Sequence, residues 1–246
     1  MNNESLYKQV ETNIDHLAAN GVWWSNCATE EQMKTAIQGG NLELTLGNRK
    51  PVPREWITDI IGKKVLCLAG GGGFQAPLLA AVGADVTVMD LSMKMLEKDV
   101  YMAEKYALNI RIEQGNMTDL SRFENDSFDY VINPASLFYV PSVHPVFKEC
   151  YRVLNKGGIL IIAAPNPIAY ICDFVEHENG GYYKAVNKMP YSSTEHSDQD
   201  DWIEFGHTMQ DYIGGQIDCG FVITGYVEDQ GEDITDLTFM TKAIKQ

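Results

Sequence analysis

Four consecutive glycines, Gly70-Gly71-Gly72-Gly73, close a short apolar stretch (Val65–Ala69) and precede a helix-forming one, Phe74–Val82. Backbone without side chains lets a ligand come within contact distance, and a helix opening just after the loop offers N–H groups to an anion. A tight strand-to-helix turn needs fewer glycines, so the run reads as a ligand cradle. Asp90 stands 19 residues after Gly71, at the end of the next apolar run, Asp85–Met89. A carboxylate there can accept both hydroxyls of a ribose. Gly115-Asn116-Met117 ends a third run: Asn116 offers hydrogen bonds to a base edge and Met117 an apolar face, although Gly-Asn is also ordinary turn chemistry. Gly71-x-Gly73-x-x-Ala76 with Asp90 equally satisfies the dinucleotide fingerprint, so these residues alone leave a nicotinamide cofactor open.

The elements that must hold these residues alternate. Val65–Ala69, Asp85–Met89, Ile110–Glu113, Phe128–Ile132 and Ile159–Ala164 read as strands, separated by helices over Phe74–Val82, from an N-cap at Ser92 to about Tyr106, and over Val143–Leu154. This rhythm predicts an α/β fold: a doubly wound, mainly parallel sheet with helices on both faces. Upstream, helices are expected over Leu6–Asn20, over Glu30–Gln38 behind an N-cap at Thr29, and over Arg54–Ile61 after Pro51-Val-Pro53. Downstream, Thr208–Asp218 reads as a helix, and Phe221–Val227 with Leu237–Ile244 as a C-terminal hairpin giving the sheet an antiparallel edge. Between them, residues 166–206 break the rhythm with Gly180-Gly181, Pro190, four tyrosines (Tyr170, Tyr182, Tyr183, Tyr191) and an acidic run. They are expected to fold over the strand ends as a lid. The organisation predicted is an N-terminal helical segment, 1–62, covering the site, and a main domain, 63–246, carrying the lid insertion.

Composition narrows the function classes. With 246 residues, 45% hydrophobic and 22% charged, the chain can bury a full core, which excludes a disordered tail and a disulfide-stapled miniature scaffold. Nineteen Lys and Arg against 34 Asp and Glu give 19 − 34 = −15, a poor balance for nucleic-acid binding, whose affinity comes from cations on phosphates. From Met189 to Thr241 there is no Lys or Arg and there are twelve carboxylates. Such a stretch serves solubility, or gives a lid that favours neutral or cationic substrates. The five cysteines are scattered without metal spacing, so no metal is expected, and reduced thiols suit a cytoplasmic protein. Neither a signal sequence nor an apolar run near the ~20 residues of a membrane span is visible.

Taken in order, the motifs resemble those of class I S-adenosylmethionine-dependent methyltransferases, over roughly residues 60–165 and more loosely to the end. Lys64-Val-Leu-Cys-Leu-Ala-Gly-Gly-Gly-Gly73 is similar to the family's glycine loop, and Val86-Thr-Val-Met-Asp-Leu-Ser92 to its ribose-binding strand end. Gln114-Gly-Asn-Met117 is similar to its adenine turn, Phe128-Asp-Tyr-Val-Ile-Asn133 to its fourth strand, and Arg152-Val-Leu-Asn-Lys-Gly-Gly158 to its turn into the fifth. The resemblance implies a Rossmann-like methyltransferase fold and S-adenosyl-L-methionine as cofactor. It implies cofactor contacts from Ala69, Gly70, Gly71 and Gly73 on the methionine part, Asp90 on the ribose, and Leu91, Met95, Gly115, Asn116 and Met117 around the adenine, with Trp24 and Asn133 completing the site. Two positions depart from the pattern. The family's acid two residues before the first motif glycine is Cys67 here, and that glycine is Ala69; Asn116 stands for the adenine-contacting acid and can still accept through its amide oxygen.

Methyl transfer from a sulfonium is an in-line displacement, and a base is needed only where the acceptor carries a proton on its nucleophilic atom. Tyr139, Tyr191 and His207 are the catalytic candidates, with Asn133, His196 and Glu204 also near the expected strand ends. Asn133-Pro134-Ala-Ser136 lacks the second proline and the aromatic of nucleic-acid amino-methyltransferases. The expected acceptor is therefore a small molecule, neutral or cationic. The sequence leaves two other classes open, a nicotinamide oxidoreductase and a non-catalytic cofactor-binding module.

Overall fold

The computed structural model describes residues 3–39, 42–47, 50–178, 180–195, 203–229 and 238–246. The N-terminal helix α1 (Asn3–Ala19) presents Leu6, Val10, Ile14 and Ala18 on one buried stripe at four-residue spacing. Helix α2 (Glu30–Ile37) opens on a capping box in which Thr29 accepts from the Gln32 backbone and Gln32 answers onto the Thr29 N–H.

From Lys64 the chain alternates as β1 (Lys64–Leu68), α3 (Gln75–Ala81), β2 (Asp85–Asp90), α4 (Met93–Tyr106), β3 (Ile110–Gln114), β4 (Phe128–Asn133), α5 (His144–Val153) and β5 (Leu154–Pro165). In β1 the period of two divides the side chains between layers. Val65 and Cys67 face the core shared with α3 and α4, while Leu66 and Leu68 face the one shared with α5. A strand buried on both faces reads as a continuous apolar run, as Val65–Leu68 does.

After α6 (Ile168–Ile171), the antiparallel pairs β6 (Cys172–His177) with β7 (Gly180–Ala185) and β8 (Tyr191–Ser192) with β9 (Phe205–Gly206) form the insertion. The chain ends in α7 (Gly215–Asp218), β10 (Phe221–Asp229) and β11 (Thr238–Lys245). The seven-stranded sheet runs β10-β11-β5-β4-β1-β2-β3. β1 to β5 are parallel, and β11 pairs antiparallel with both β5 and β10. The chain reverses its direction of travel between β1 and β4, so the crevice beyond their carboxyl ends is the switch point where such sheets bind ligands.

The C-terminal hairpin supplies the expected antiparallel edge: β11 inserts beside β5, with Phe239, Met240, Thr241 and Ala243 buried, and β10 takes the outermost place with alternating exposure. Two expectations need correction. Arg54–Ile61 is a single 3-10 turn, Arg54–Trp56. The chain unwinds there because Ile57 adopts φ −129°, letting Trp56, Ile57 and Ile60 all reach the core, Trp56 against Gly225. Finally, Gln210–Gly214 is a π-helical turn ahead of α7 rather than regular α-helix; its Tyr212 is fully buried.

Candidate functional site

At the switch point a cavity of about 510 Å³ opens above the strand ends. Its floor comes from the residues that leave four adjacent strands: Ala69 and Gly71 after β1, Asp90 and Leu91 at β2, Gly115 to Met117 after β3, and Pro134 to Ser136 after β4. Its roof comes from the N-terminal segment: Tyr7, Val10 and Ile14 of α1 and the turn at Trp23 and Trp24. The roof is fastened to α4 at two points. Ser92, the N-cap of α4, donates its hydroxyl to Asp15. Lys98 donates to the backbone and side-chain oxygens of Ser25 at 2.6 and 2.8 Å. The Ala28 N–H also donates to the Gly73 carbonyl at 2.9 Å.

The glycine loop is held from behind by two buried carboxylates. Gly71 N–H donates to Asp90 Oδ2 at 2.9 Å, and Gly72 N–H to Asp99 Oδ2 at 2.9 Å. A dinucleotide pyrophosphate needs the N–H groups of this loop for itself. Here two of them are engaged by the protein's own acids, which leaves the loop a poor anion cradle and disfavours a nicotinamide cofactor. Close packing explains why glycine is required. A Cβ on Gly71 would lie 2.9 Å from Met95 Cβ and 3.0 Å from Asp90 Cβ.

Burial raises both acids: Asp90 to about 6 and Asp99 to about 7. Ordinary unfolded aspartates titrate near ~3.9. Between those values the folded chain holds protons that the unfolded chain has released. The stabilising protonation is complete below the unfolded pKa and is lost as pH rises through the folded one. Each acid should therefore make the ligand-free protein roughly 1–3 kcal/mol less stable at pH 8 than at pH 5. Burial of His207 lowers its pKa and acts in the opposite sense, so comparison with variants isolates the acids. Urea unfolding at the two pH values should show the difference shrinking in Asp99→Asn; an unchanged difference would remove Asp99 as its source.

Of the residues predicted for the cofactor, Trp24, Ala69, Gly71, Asp90, Leu91, Met95, Gly115, Asn116 and Met117 line this one cavity. Gly70, Gly73 and Asn133 lie off its wall. Gly70 packs against Cys67 and Pro134, and the space beside Gly73 is filled by Cys27 and α4. Asn133 is fully buried and ties the ends of β1 and β4 together, its amide donating to Leu68 O at 2.8 Å and to Ser136 Oγ at 2.9 Å. Asn116 Oδ1 accepts from both the N–H and the hydroxyl of Thr118 at 2.9 Å. Its oxygen is thus occupied within its own turn, and the group left for a ligand is the amide NH₂.

The catalytic candidates separate. Tyr139 lines the cavity, and burial, first, with Glu204 and Asp90 nearby, holds its phenol far above the ordinary range. His207 lines a second cavity of about 210 Å³. There its Nε2 lies 3.1 Å from Leu137 O and its ring packs edge-on against Tyr212. Tyr191 pairs in β8 and stacks on Tyr170 at 5.5 Å. None of Tyr170, Tyr182, Tyr183 and Tyr191 is on the wall, because the insertion satisfies its own aromatics: Phe174 meets Tyr183 at 5.3 Å and Gly206 admits the Tyr170 ring. The insertion instead braces the roof from outside, with Ile203 and Phe205 packed against α1 and Tyr139. His196 and the acidic run at 198–201 lie outside the described residues.

Several wall residues were not anticipated from the sequence: Tyr7, Val10 and Ile14 on α1, and Phe74, Gln75 and Phe138 on the main domain. The stripe on α1 was visible as helical periodicity, but periodicity does not say what the stripe covers. Among the described residues, no group of three or more His, Cys, Asp or Glu could hold a metal ion. No described helix is long and apolar enough to cross a membrane.

Residues 66–162, from β1 to β5, match the family described as "Methyltransferase domain". Over 244 residues, covering 96% of this chain and 92% of the relative, the sequence is 41% identical to the Bacillus subtilis (strain 168) protein described as "Uncharacterized methyltransferase YbaJ". Among solved structures, the S-adenosylmethionine-dependent methyltransferase from Mesorhizobium loti superposes with a TM-score of 0.66 at 19% identity, over 78% of this chain and 94% of that one. The Burkholderia thailandensis 1,6-didemethyltoxoflavin-N1-methyltransferase, solved with S-adenosylhomocysteine, also gives 0.66 at 12% identity, over 100% of this chain and 91% of that one. The first relative carries the assignment almost end to end and the structures share the fold, so the chain belongs to the class I S-adenosylmethionine-dependent methyltransferases.

Proposed function

We propose that this enzyme methylates a small, uncharged or cationic acceptor seated beneath α1, between Tyr7, Phe138 and Tyr139. One observation carries the reading. Among the described residues, the wall contains no Lys, Arg or His, and Asp90 is its single charged group. A carboxylate or phosphate brought into such a site loses its hydration without gaining a counter-ion, which costs several kcal/mol. Aromatic faces, by contrast, accept flat apolar rings and cations. A polynucleotide is disfavoured on the same ground, and by the net charge of −15. The five free thiols fit a reducing compartment, which supports a cytoplasmic location.

The cavity suits the cofactor. Asp90 would take the ribose hydroxyls with the lone pairs left by Gly71 and Ser92. Leu91, Met95 and Met117 would hold the adenine, with the Asn116 NH₂ free to donate to it. Ala69 and Gly71 would hold the methionine part, with Trp24 over it. When bound, the cofactor supplies a sulfonium methyl group, an electrophile that needs no further activation. What remains for the chain is to fix the acceptor in line and keep water out, which an apolar roof of α1 and tryptophans does. Tyr139 keeps its proton throughout the neutral range and orients the acceptor by hydrogen bonding rather than taking a proton from it.

Matched acceptors test this: phenols and amines against the same rings carrying a carboxylate or phosphate, followed by release of S-adenosylhomocysteine. Turnover is expected on the neutral or cationic members, with kcat/KM at least tenfold lower on their anionic partners. A preference for the anionic members would overturn the acceptor class. Tight cofactor binding without transfer to any member would favour a non-catalytic module.

A further inference from the structure

The first glycine-loop motif lacks its acid: the position two residues before Ala69 is Cys67, fully buried in β1. A fully buried carboxylate nevertheless stands beneath the loop. It arrives from another element, on the buried face of α4. Asp99 has no exposed surface, and its Oδ2 accepts the N–H of Gly72 at 2.9 Å. Its other oxygen, Oδ1, is buried with no hydrogen-bond partner. Cys67 packs beneath Gly70 and Asp99 beneath Gly72, so both buried side chains stand under the same loop. An aspartate in an apolar interior with one oxygen unsatisfied is costly, and such a group is retained only where something offsets that cost.

We propose that Asp99 is the relocated acid of the glycine loop, a positioning residue that fixes the loop for the cofactor's methionine ammonium in place of the carboxylate missing at Cys67. The inference rests on the reading that the methionine part lies over Ala69–Gly73. Two effects follow from its place. By drawing the Gly72 N–H backward, Asp99 keeps that loop donor away from a ligand ammonium, which needs acceptors. Where it is ionised, above about pH 7, its negative charge, screened little by solvent there, favours a cation at the loop and disfavours an anion. Cys67 is the complementary half of the exchange: a small, neutral side chain at that point avoids two carboxylates in one buried space, which would repel each other.

Calorimetry with S-adenosylhomocysteine and with adenosine, which lacks the methionine part, tests the proposal. The near-isosteric Asp99→Asn keeps an oxygen for the Gly72 N–H and removes only the charge. It is expected to weaken S-adenosylhomocysteine at least tenfold while leaving adenosine within twofold. In the background of Asp99→Asn, Cys67→Asp returns an acid to the strand position and should recover most of that loss. A merely structural role would lower both affinities alike, or lower the melting temperature alone; either result overturns the proposal, as does a Cys67→Asp/Asp99→Asn protein that folds and recovers nothing. Should that double variant not fold, the two-ligand split in Asp99→Asn decides by itself. If wild type binds adenosine as tightly as S-adenosylhomocysteine, the placement of the methionine part fails instead, a different outcome from the others.

Discussion

Asp90→Ala is expected to weaken S-adenosylhomocysteine by on the order of 1.5–3 kcal/mol, roughly 10- to 150-fold, the range for hydrogen bonds to a charged group. The carboxylate sits at the last residue of β2, almost wholly buried yet on the cavity wall. Backbone N–H groups of Gly71 and Ser92 already donate to it, one to each oxygen, so its orientation is fixed before any ligand arrives. Part of the loss would come from releasing Gly71, and a second ligand separates the two contributions. Wild type should prefer adenosine to 2′-deoxyadenosine, and the variant should not. An unchanged dissociation constant, or a preference for the ribose that survives the substitution, would remove Asp90 from the ribose.

Gly71→Ala should have a comparable effect through shape alone. Its methyl group would fall 2.9 Å from Met95 Cβ and 3.0 Å from both Asp90 Cβ and Oδ2, closer than real Cβ atoms approach. Overpacking of this kind costs roughly 1–3 kcal/mol. Here the displaced groups are Asp90 and Met95, the residues proposed to hold the ribose and the adenine, so the cost should appear in cofactor affinity, with at least a tenfold loss by calorimetry. Because the clash is partly with Asp90, the two substitutions should not add. In the Asp90→Ala background, Gly71→Ala should lose markedly less than it does alone. Full additivity would mean that the alanine is absorbed elsewhere in the loop.

The parts of the molecule read correctly from sequence are those whose signal is local. Val65–Leu68 is apolar because both faces of β1 are covered; Ser92 caps α4 because its hydroxyl accepts the Met95 N–H at 3.1 Å; and Thr29 caps α2 in the same way. Each depends on residues within a few positions. Arg54–Ile61 carried an equally good helix signal, with prolines before and a glycine after. It failed because Trp56, Ile57 and Ile60 gain more by reaching the core separately than the segment gains from one more helical turn. The tyrosines of residues 166–206 misled for a related reason. Composition marks a segment as aromatic, yet Tyr170 and Tyr183 found partners inside the insertion, on Tyr191 and Phe174, rather than over the cavity.

The sequence by itself determined the order of strands and helices, the glycine cradle, the acid at the end of β2, and a charge balance unsuited to nucleic acid. These follow from spacing along the chain and from composition, which need no partner to be known. Only the tertiary structure decided which way the loop N–H groups point, which residues of α1 line the cavity, that β11 lies inside the sheet, and that Asp99 stands under the loop where Cys67 cannot serve. The physical reason is distance in sequence. Gly72 and Asp99 are 27 residues apart, and nothing local to either predicts that α4 packs so as to bring a carboxylate to that N–H. A contact of this kind is set by the packing of a helix on a sheet, and it becomes legible only once both are in place.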